Sequence, residues 1–197
     1  SIEDLKTHNI PLAEFVEDLA DSNGVSREEM IDEIQWVAPF VVDSSFNPVK
    51  ADLKSFNLKK IPPSIGNLTS LKELNLSGNQ LESLPEEIGN LENLEDLRLI
   101  DNKLNALPES VGRLKKLREL HLSENQIAGL PESLCQLSSL EALYARDNRL
   151  RSLPESITEL ERLNVLSLTG NDLQSIPKNI GELHDLTVLL VDVNPLG

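Results

Sequence analysis

The sequence has little cysteine, few aromatic residues and no long apolar run. Its 197 residues include one cysteine, Cys135, so an intramolecular disulfide of the kind common in extracellular domains is excluded. Six aromatic residues leave a core built mainly from aliphatic side chains. The longest stretch of only apolar residues and proline, residues 37–42, is far too short to cross a bilayer. We therefore expect a cytoplasmic protein with neither a signal peptide nor a transmembrane helix.

Positive charge is also scarce. The chain has 18 lysines and arginines against 33 acidic residues, which gives a formal net charge of −15. The imbalance is largest in residues 1–47, which contain eleven acidic and two basic residues. Nucleic acids and anionic membrane surfaces would be repelled, so neither is expected as a partner.

Leucine, by contrast, is abundant and recurs at a fixed spacing. The stretch Leu71–Asn93 reads LKELNLSGNQLESLPEEIGNLEN, and its pattern returns every 23 residues. Further copies start at Leu94, Leu117, Leu140 and Leu163. An irregular copy from Pro48 and a shortened one from Leu186 bring the total to seven units. Because one unit cannot bury its leucines alone, this period indicates a solenoid of stacked units.

Each unit contains two kinds of spacing. Leu74 and Leu76 are two residues apart, which predicts a strand. From Pro85 to Leu91 the apolar residues are three apart with a glycine, which favours a 3-10 turn on the opposite side. An asparagine recurs at one inward position, where we expect its amide to bond backbone groups and the neighbouring amides. These asparagines are Asn79, Asn102, Asn125, Asn148, Asn171 and Asn194.

The pattern L-x-x-L-x-L-x-x-N-x-L-x-x-L-P-x-x-I-G-x-L over residues 48–197 resembles that of leucine-rich repeat proteins of the 23-residue class. That class includes intracellular Ras-associated proteins, scribble-type scaffolds and many bacterial proteins. The resemblance implies an α/β fold, a curved solenoid with a parallel β-sheet on its concave face. It further implies a non-enzymatic interaction module or signalling scaffold, whose protein partners in this class include small GTPases, kinases and phosphatases.

Residues 1–47 lack the repeat and predict helices. Apolar residues at i, i+3, i+4, i+7 and i+8 follow Pro11, which suits the first turn of an amphipathic helix. These are Leu12, Phe15, Val16, Leu19 and Ala20. Ser26 and Glu29 form the sequence pattern of a capping box, which starts a second helix running to about Val37. One side of that helix carries Met30, Ile31, Ile34 and Val37, and a short helical turn is predicted at residues 2–5. We expect an acidic helical cap on the first repeat, with a separate docking module as the alternative.

The outward side chains of the predicted strands supply the candidate binding site. The central residues are Arg98, Ile100, His121, Tyr144 and Arg146, flanked by the acidic residues Asp96, Asp101, Glu119, Glu124 and Asp147. Tyrosine and arginine are frequent binding anchors, and the acids favour a partner with basic surface. Stacked carboxylates on adjacent strands repel one another, which suggests either a use in binding or pairing with the arginines. The alternative is a solvated face of mixed charge.

Catalysis is not expected. Cys135 takes the usual glycine place on the convex side and His121 lies on the concave side, so the core would separate them. Carboxylates on separate strands lack the compact oxygen cage of a calcium loop, and the sequence predicts neither a metal nor a cofactor.

Two alternative functions remain open. One is the substrate-recognition part of a larger enzyme, such as a bacterial effector ubiquitin ligase. The other is a homo-oligomeric structural protein, in which a homodimer forms through the apolar C-terminal end. That end carries Val165, Val188, Leu190 and Val193.

Overall fold

Two helices precede an open sheet whose strands follow one another in chain order. The computed structural model describes residue 7, residues 9–37 and residues 39–197, without the side chains of residues 33–37. The helices are α1 (Ile10–Asn23) and α2 (Arg27–Val37). The strands of this part are β1 (Phe40–Val42), β2 (Pro48–Asp52), β3 (Glu73–Asn75), β4 (Asp96–Arg98), β5 (Glu119–His121), β6 (Ala142–Tyr144), β7 (Val165–Ser167) and β8 (Val188–Leu190). Strands β2 to β8 are parallel, and β1 is antiparallel to β2.

A short 3-10 turn follows each of the strands β2 to β7 on the opposite side of the coil. The turns span Pro63–Asn67, Glu86–Asn90, Glu109–Arg113, Glu132–Gln136, Glu155–Glu159 and Ile180–Glu182. Most of the repeat leucines lie between the sheet and these turns in one continuous buried core. The predicted solenoid is therefore confirmed. Proline precedes the turns at φ values that its ring imposes, such as −70° at Pro85 and −68° at Pro108.

The asparagine of each unit joins neighbouring repeats. The amide nitrogen of Asn102 donates to the carbonyl oxygen of Leu76, one repeat earlier, at 2.9 Å and to that of Leu99, in its own repeat, at 3.2 Å. Its oxygen accepts from the backbone nitrogen of Leu81 at 3.0 Å. In the part of the chain that the structure describes, these amides bond backbone groups rather than one another. One side chain thus satisfies three groups that the turn has taken out of water.

The convex side depends on small residues where successive turns meet. A Cβ atom built at Gly112 would lie 2.4 Å from the carbonyl oxygen of Ser133 in the next turn. Gly89 is equally crowded, at 2.5 Å from the carbonyl oxygen of Ser110. Cys135 takes this place in the following unit, and from there on the turns pack less closely. We infer that the glycines permit close stacking and that the Cys135 side chain widens it.

The helical cap is confirmed, and α1 buries the predicted residues Leu12, Phe15, Val16, Leu19 and Ala20. The capping box of α2 is also present: the backbone nitrogen of Ser26 donates to Glu29 Oε2 at 3.1 Å, and that of Glu29 to Ser26 Oγ at 3.2 Å. Asn23 holds α1 to the first repeat by accepting from the backbone nitrogens of Lys59 and Lys60 at 2.6 and 3.0 Å. The predictions for residues 2–5, and for the side chains of Ile34 and Val37, lie outside the described residues.

Strand β1 was missed in the sequence analysis, which assigned residues 40–47 to the cap and predicted no strand there. Phe40, Val41 and Val42 pair with Ala51, Lys50 and Pro48 of β2, with a shift of register between Val41 and Val42. The Asp43 carboxylate accepts from the backbone nitrogens of Ser45 and Asn47 at 2.8 and 3.0 Å and closes the hairpin. The sequence feature that could have revealed this hairpin is the mainly polar run DSSFN between two apolar stretches. The sheet therefore begins within the segment assigned to the cap.

Replacing Gly112 by alanine is expected to destabilise the fold by about 1–3 kcal/mol, because the added methyl group meets the backbone of the next turn. Chemical denaturation would measure the loss. Gly129→Ala is the matched control, since no atom lies within 4 Å of its Cβ position, and its stability should change little. Equal effects of the two substitutions would contradict the packing argument.

Replacing Asn125 by alanine is expected to destabilise the fold by about 2–4 kcal/mol. The substitution leaves the carbonyl oxygens of Leu99 and Leu122 and the backbone nitrogen of Leu104 buried without their partner. Thermal and urea unfolding would measure the difference. The exposed Asn105 of the preceding unit is the control, because within the described residues its side-chain amide donates only to the Lys103 carbonyl oxygen, at 3.4 Å. An Asn125→Ala chain as stable as Asn105→Ala would refute the bridging role.

Candidate functional site

The concave face is formed by two columns of outward side chains, because neighbouring residues of a strand point to opposite sides. The pairing of the parallel strands aligns the first column as Lys50, Glu73, Asp96, Glu119, Ala142, Val165 and Val188. It aligns the second as Asp52, Asn75, Arg98, His121, Tyr144, Ser167 and Leu190. On β2–β5 both columns consist of charged or polar residues, and we call this part of the face the charged half. On β6–β8 neither column carries a formal charge, and we call this part the uncharged half.

His121 and Tyr144 meet where the two halves join. Their rings are stacked, with centroids 4.7 Å apart and planes 12° apart. The Nε2 atom of His121 lies 3.1 Å from Glu119 Oε2 and 4.0 Å from Asp96 Oδ1. Both rings are half-buried, so they present ordered aromatic surface at the centre of the face.

Arg98 is held by Asp96 on the same strand. Its Nε and Nη2 atoms donate to the carboxylate at 3.0 and 2.6 Å, and this pairing raises the pKa of Arg98 above its ordinary value. Lys50 pairs similarly with Glu73 of the adjacent strand at 2.7 Å. The basic side chains of the charged half are thus engaged within the face itself.

The backbone conformation helps to explain the acidic column Asp101, Glu124 and Asp147. These residues have φ values of 54°, 59° and 53°, in the left-handed region. The same column contains Gly78 and Gly170, at 67° and 71°, and those glycines were the signal in the sequence. Aspartate tolerates this conformation better than most residues, so Asp101 and Asp147 need no binding role to be explained. Their part in binding stays a prediction.

The structure gathers the predicted residues into two groups. Arg98, His121 and Tyr144 are consecutive in one column. Ile100 and Arg146 lie one column further along the chain, where Ile100 is half-buried and the Nε atom of Arg146 donates to Asp147 Oδ2 at 2.8 Å. The Asp147 carboxylate is therefore paired, as one of the sequence hypotheses expected.

A hollow of about 190 Å³ at one margin of the face was not predicted. Its lining consists of Glu73, Glu95, Asp96, Arg118 and Glu119. Arg118 is directed to Glu141 by hydrogen bonds of 3.0 and 2.9 Å, which lower the pKa of Glu141. The sequence feature that could have revealed this hollow is a column of alternating charge just before the strands, formed by Lys72, Glu95, Arg118 and Glu141.

Asp96, Glu119 and His121 bring three potential ligand atoms within 4.8 Å of one another. However, Arg98 already bonds both oxygens of Asp96. The cluster is an ion-paired network, and we assign no metal to it.

Cys135 lies in a 3-10 turn, whereas His121 lies on β5 across the core. The thiol is almost fully buried, and burial raises its pKa above the ordinary value. A nucleophile needs the thiolate and a base within reach, and Cys135 with His121 provides neither.

Comparison with known proteins gives one family. A sequence model described as a leucine-rich repeat region matches residues 52–148. No curated protein matches the chain. Among the described residues, no helix has the length and apolar character needed to span a membrane.

Solved structures with the same fold come from bacteria and plants. A leucine-rich repeat protein of Leptospira interrogans is 37% identical with a TM-score of 0.64, over 70% of this chain and 41% of that one. The ectodomain of the Arabidopsis thaliana receptor kinase GASSHO1/SCHENGEN3, in complex with CASPARIAN STRIP INTEGRITY FACTOR 2, is 31% identical with a TM-score of 0.74. The match covers 83% of this chain and 21% of the ectodomain. The Arabidopsis SOBIR1 ectodomain is 26% identical with a TM-score of 0.66, over 83% and 94% of the two chains. This chain thus spans less than half the length of the first two.

Cys135 is expected to react with a thiol reagent at least about tenfold more slowly in the folded chain than in guanidinium, because the buried thiol is both shielded and protonated. Absorbance on reaction with an aromatic disulfide reagent at pH 7.5 would give both rates. Since its pKa is raised in the folded state, increasing the pH to 9 should accelerate the folded chain by the larger factor, because the unfolded thiol approaches its own pKa and its thiolate fraction begins to saturate. Equal rates at pH 7.5 would show an accessible thiol, and Cys135→Ser supplies the blank.

Proposed function

Because the chain is a leucine-rich repeat protein, we propose that it is a non-enzymatic interaction module that binds a protein partner on its concave face. The family commonly mediates protein–protein interaction, and the GASSHO1/SCHENGEN3 ectodomain was solved as a complex. The observation that carries the proposal is the ordered group of Arg98, His121 and Tyr144 at the centre of the sheet.

The geometry of this group suits recognition. Its side chains stand on adjacent hydrogen-bonded strands, so their spacing is set before a partner arrives. The bonds to Asp96 and Glu119 orient Arg98 and His121, which lowers the entropy lost on binding. Tyrosine and arginine side chains in such places are typical anchors of interfaces.

We also propose a cytoplasmic location and a partner with basic surface. The single buried cysteine supports the first, because extracellular repeat domains usually have disulfide-bonded caps. The acidic excess of the charged half supports the second. The resemblance to Ras-associated and scribble-type proteins makes small GTPases, kinases and phosphatases the first partners to try.

The test is a pull-down from source-cell lysate with the wild-type chain and the triple variant Arg98→Ala, Tyr144→Ala, Arg146→Ala. A partner of the concave face should be captured by the wild type and lost from the triple variant, with affinity reduced about tenfold or more when remeasured with purified protein. Circular dichroism and thermal unfolding would verify that the variant is folded.

The matched control removes Arg113, Arg162 and His184, which are exposed and lie outside the sheet. This control should capture the partner as the wild type does. Equal capture by all three chains would indicate that the partner binds the cap or the convex side instead. Capture of the chain's own copies alone would instead favour the homo-oligomer.

A further inference from the structure

The concave face changes chemistry between β5 and β6. In the first column the acids Glu73, Asp96 and Glu119 are succeeded by Ala142, Val165 and Val188. The second column changes at the same place, from His121 to Tyr144. The division therefore crosses the whole sheet rather than one row.

The charged half has an excess of carboxylates toward a partner. Four carboxylates surround the margin hollow, and its one cation, Arg118, is directed to Glu141 outside it. On the face itself, Lys50 and Arg98 are bound to Glu73 and Asp96. A lysine or arginine from a partner would be attracted here, whereas an acidic segment would be repelled.

The uncharged half exposes aliphatic surface. Val188 and Leu190 are 38% and 43% exposed, and Val165 is half-buried beside them. Ala142 and Ser167, which complete this half, are small and buried. Covering this surface with an apolar side chain would remove it from water.

We propose that the partner contributes one extended segment with two chemically different ends. Lysine or arginine at one end lies over Glu73, Asp96 and Glu119, and aliphatic or aromatic residues at the other lie over Val165, Val188 and Leu190. The proposal rests on the proposed concave-face function and adds the chemistry and length of the ligand. The centres of the two sets, β4 and the β7–β8 pair, are about three and a half strand spacings or about 17 Å apart, which is about five extended residues.

The test is to select linear 12-residue peptides from a random display library on the immobilised chain. The enriched peptides are then synthesised, and their affinity for the chain is measured by fluorescence anisotropy. Enriched peptides should carry lysine or arginine about five residues from an apolar pair. Glu73→Gln, Asp96→Asn and Glu119→Gln together should weaken binding about tenfold and flatten its salt dependence. Val188→Ser with Leu190→Ser should weaken binding by a similar factor without changing that dependence.

Each variant has a control that makes the same chemical change elsewhere. Glu109→Gln, Glu155→Gln and Glu161→Gln remove three exposed carboxylates away from the concave sheet. Val41→Ser with Val42→Ser removes exposed valines from β1, at the other end of the sheet. Both controls should bind the selected peptides as the wild type does.

The outcomes separate this inference from the proposed function. Peptides that lose binding to the Arg98, Tyr144, Arg146 triple variant but lack the two-ended pattern would overturn only the inference. Peptides unaffected by every concave-face variant would overturn both. Failure to enrich any peptide would overturn the inference that the partner contributes a linear segment. A concentration-dependent dimer that is abolished by Val188→Ser with Leu190→Ser would show that the uncharged half binds a second copy of the chain. That outcome would also overturn the inference.

Discussion

The buried asparagine amides are the interaction on which the rest of this structure depends. Each amide nitrogen donates to carbonyl oxygens of its own and the preceding repeat, and each oxygen accepts from the backbone of the preceding repeat. The repeats are therefore fixed in register by groups that are out of contact with water. Register in turn decides which side chains share a column of the sheet, so the arrangement of the candidate site follows from these buried contacts.

The two sides of the coil obey different constraints. Strand spacing on the concave side is set by backbone hydrogen bonds and is nearly uniform. The convex spacing depends on the residue where the turns meet, which is glycine at 66, 89 and 112 and then Cys135 and Thr158. The turns pack less closely after that change.

The stability and the recognition chemistry of the chain use different residues. Inward leucines, asparagines and glycines hold the solenoid, while outward positions vary from Glu73 to Leu190 without disturbing it. Function on such a scaffold therefore has to be argued from the outward columns and not from the fold. Here the Arg98–Asp96 pair and the His121–Tyr144 stack orient part of that surface, and side chains that are already oriented lose less entropy on binding.

Much of this protein was determined by its sequence alone, because the repeat period and local capping patterns act over short distances. The solenoid, its leucine core, helix α1 with its buried face and the Ser26–Glu29 capping box were all predictable. Outward columns also followed from the period, so Arg98, His121 and Tyr144 could be placed together. Tertiary structure alone decided the pairing of β1 with β2, which needs a partner strand, and the stacking of His121 on Tyr144. It also revealed that Asp101 and Asp147 occupy left-handed backbone positions, since φ depends on how the chain turns inward between stacked repeats.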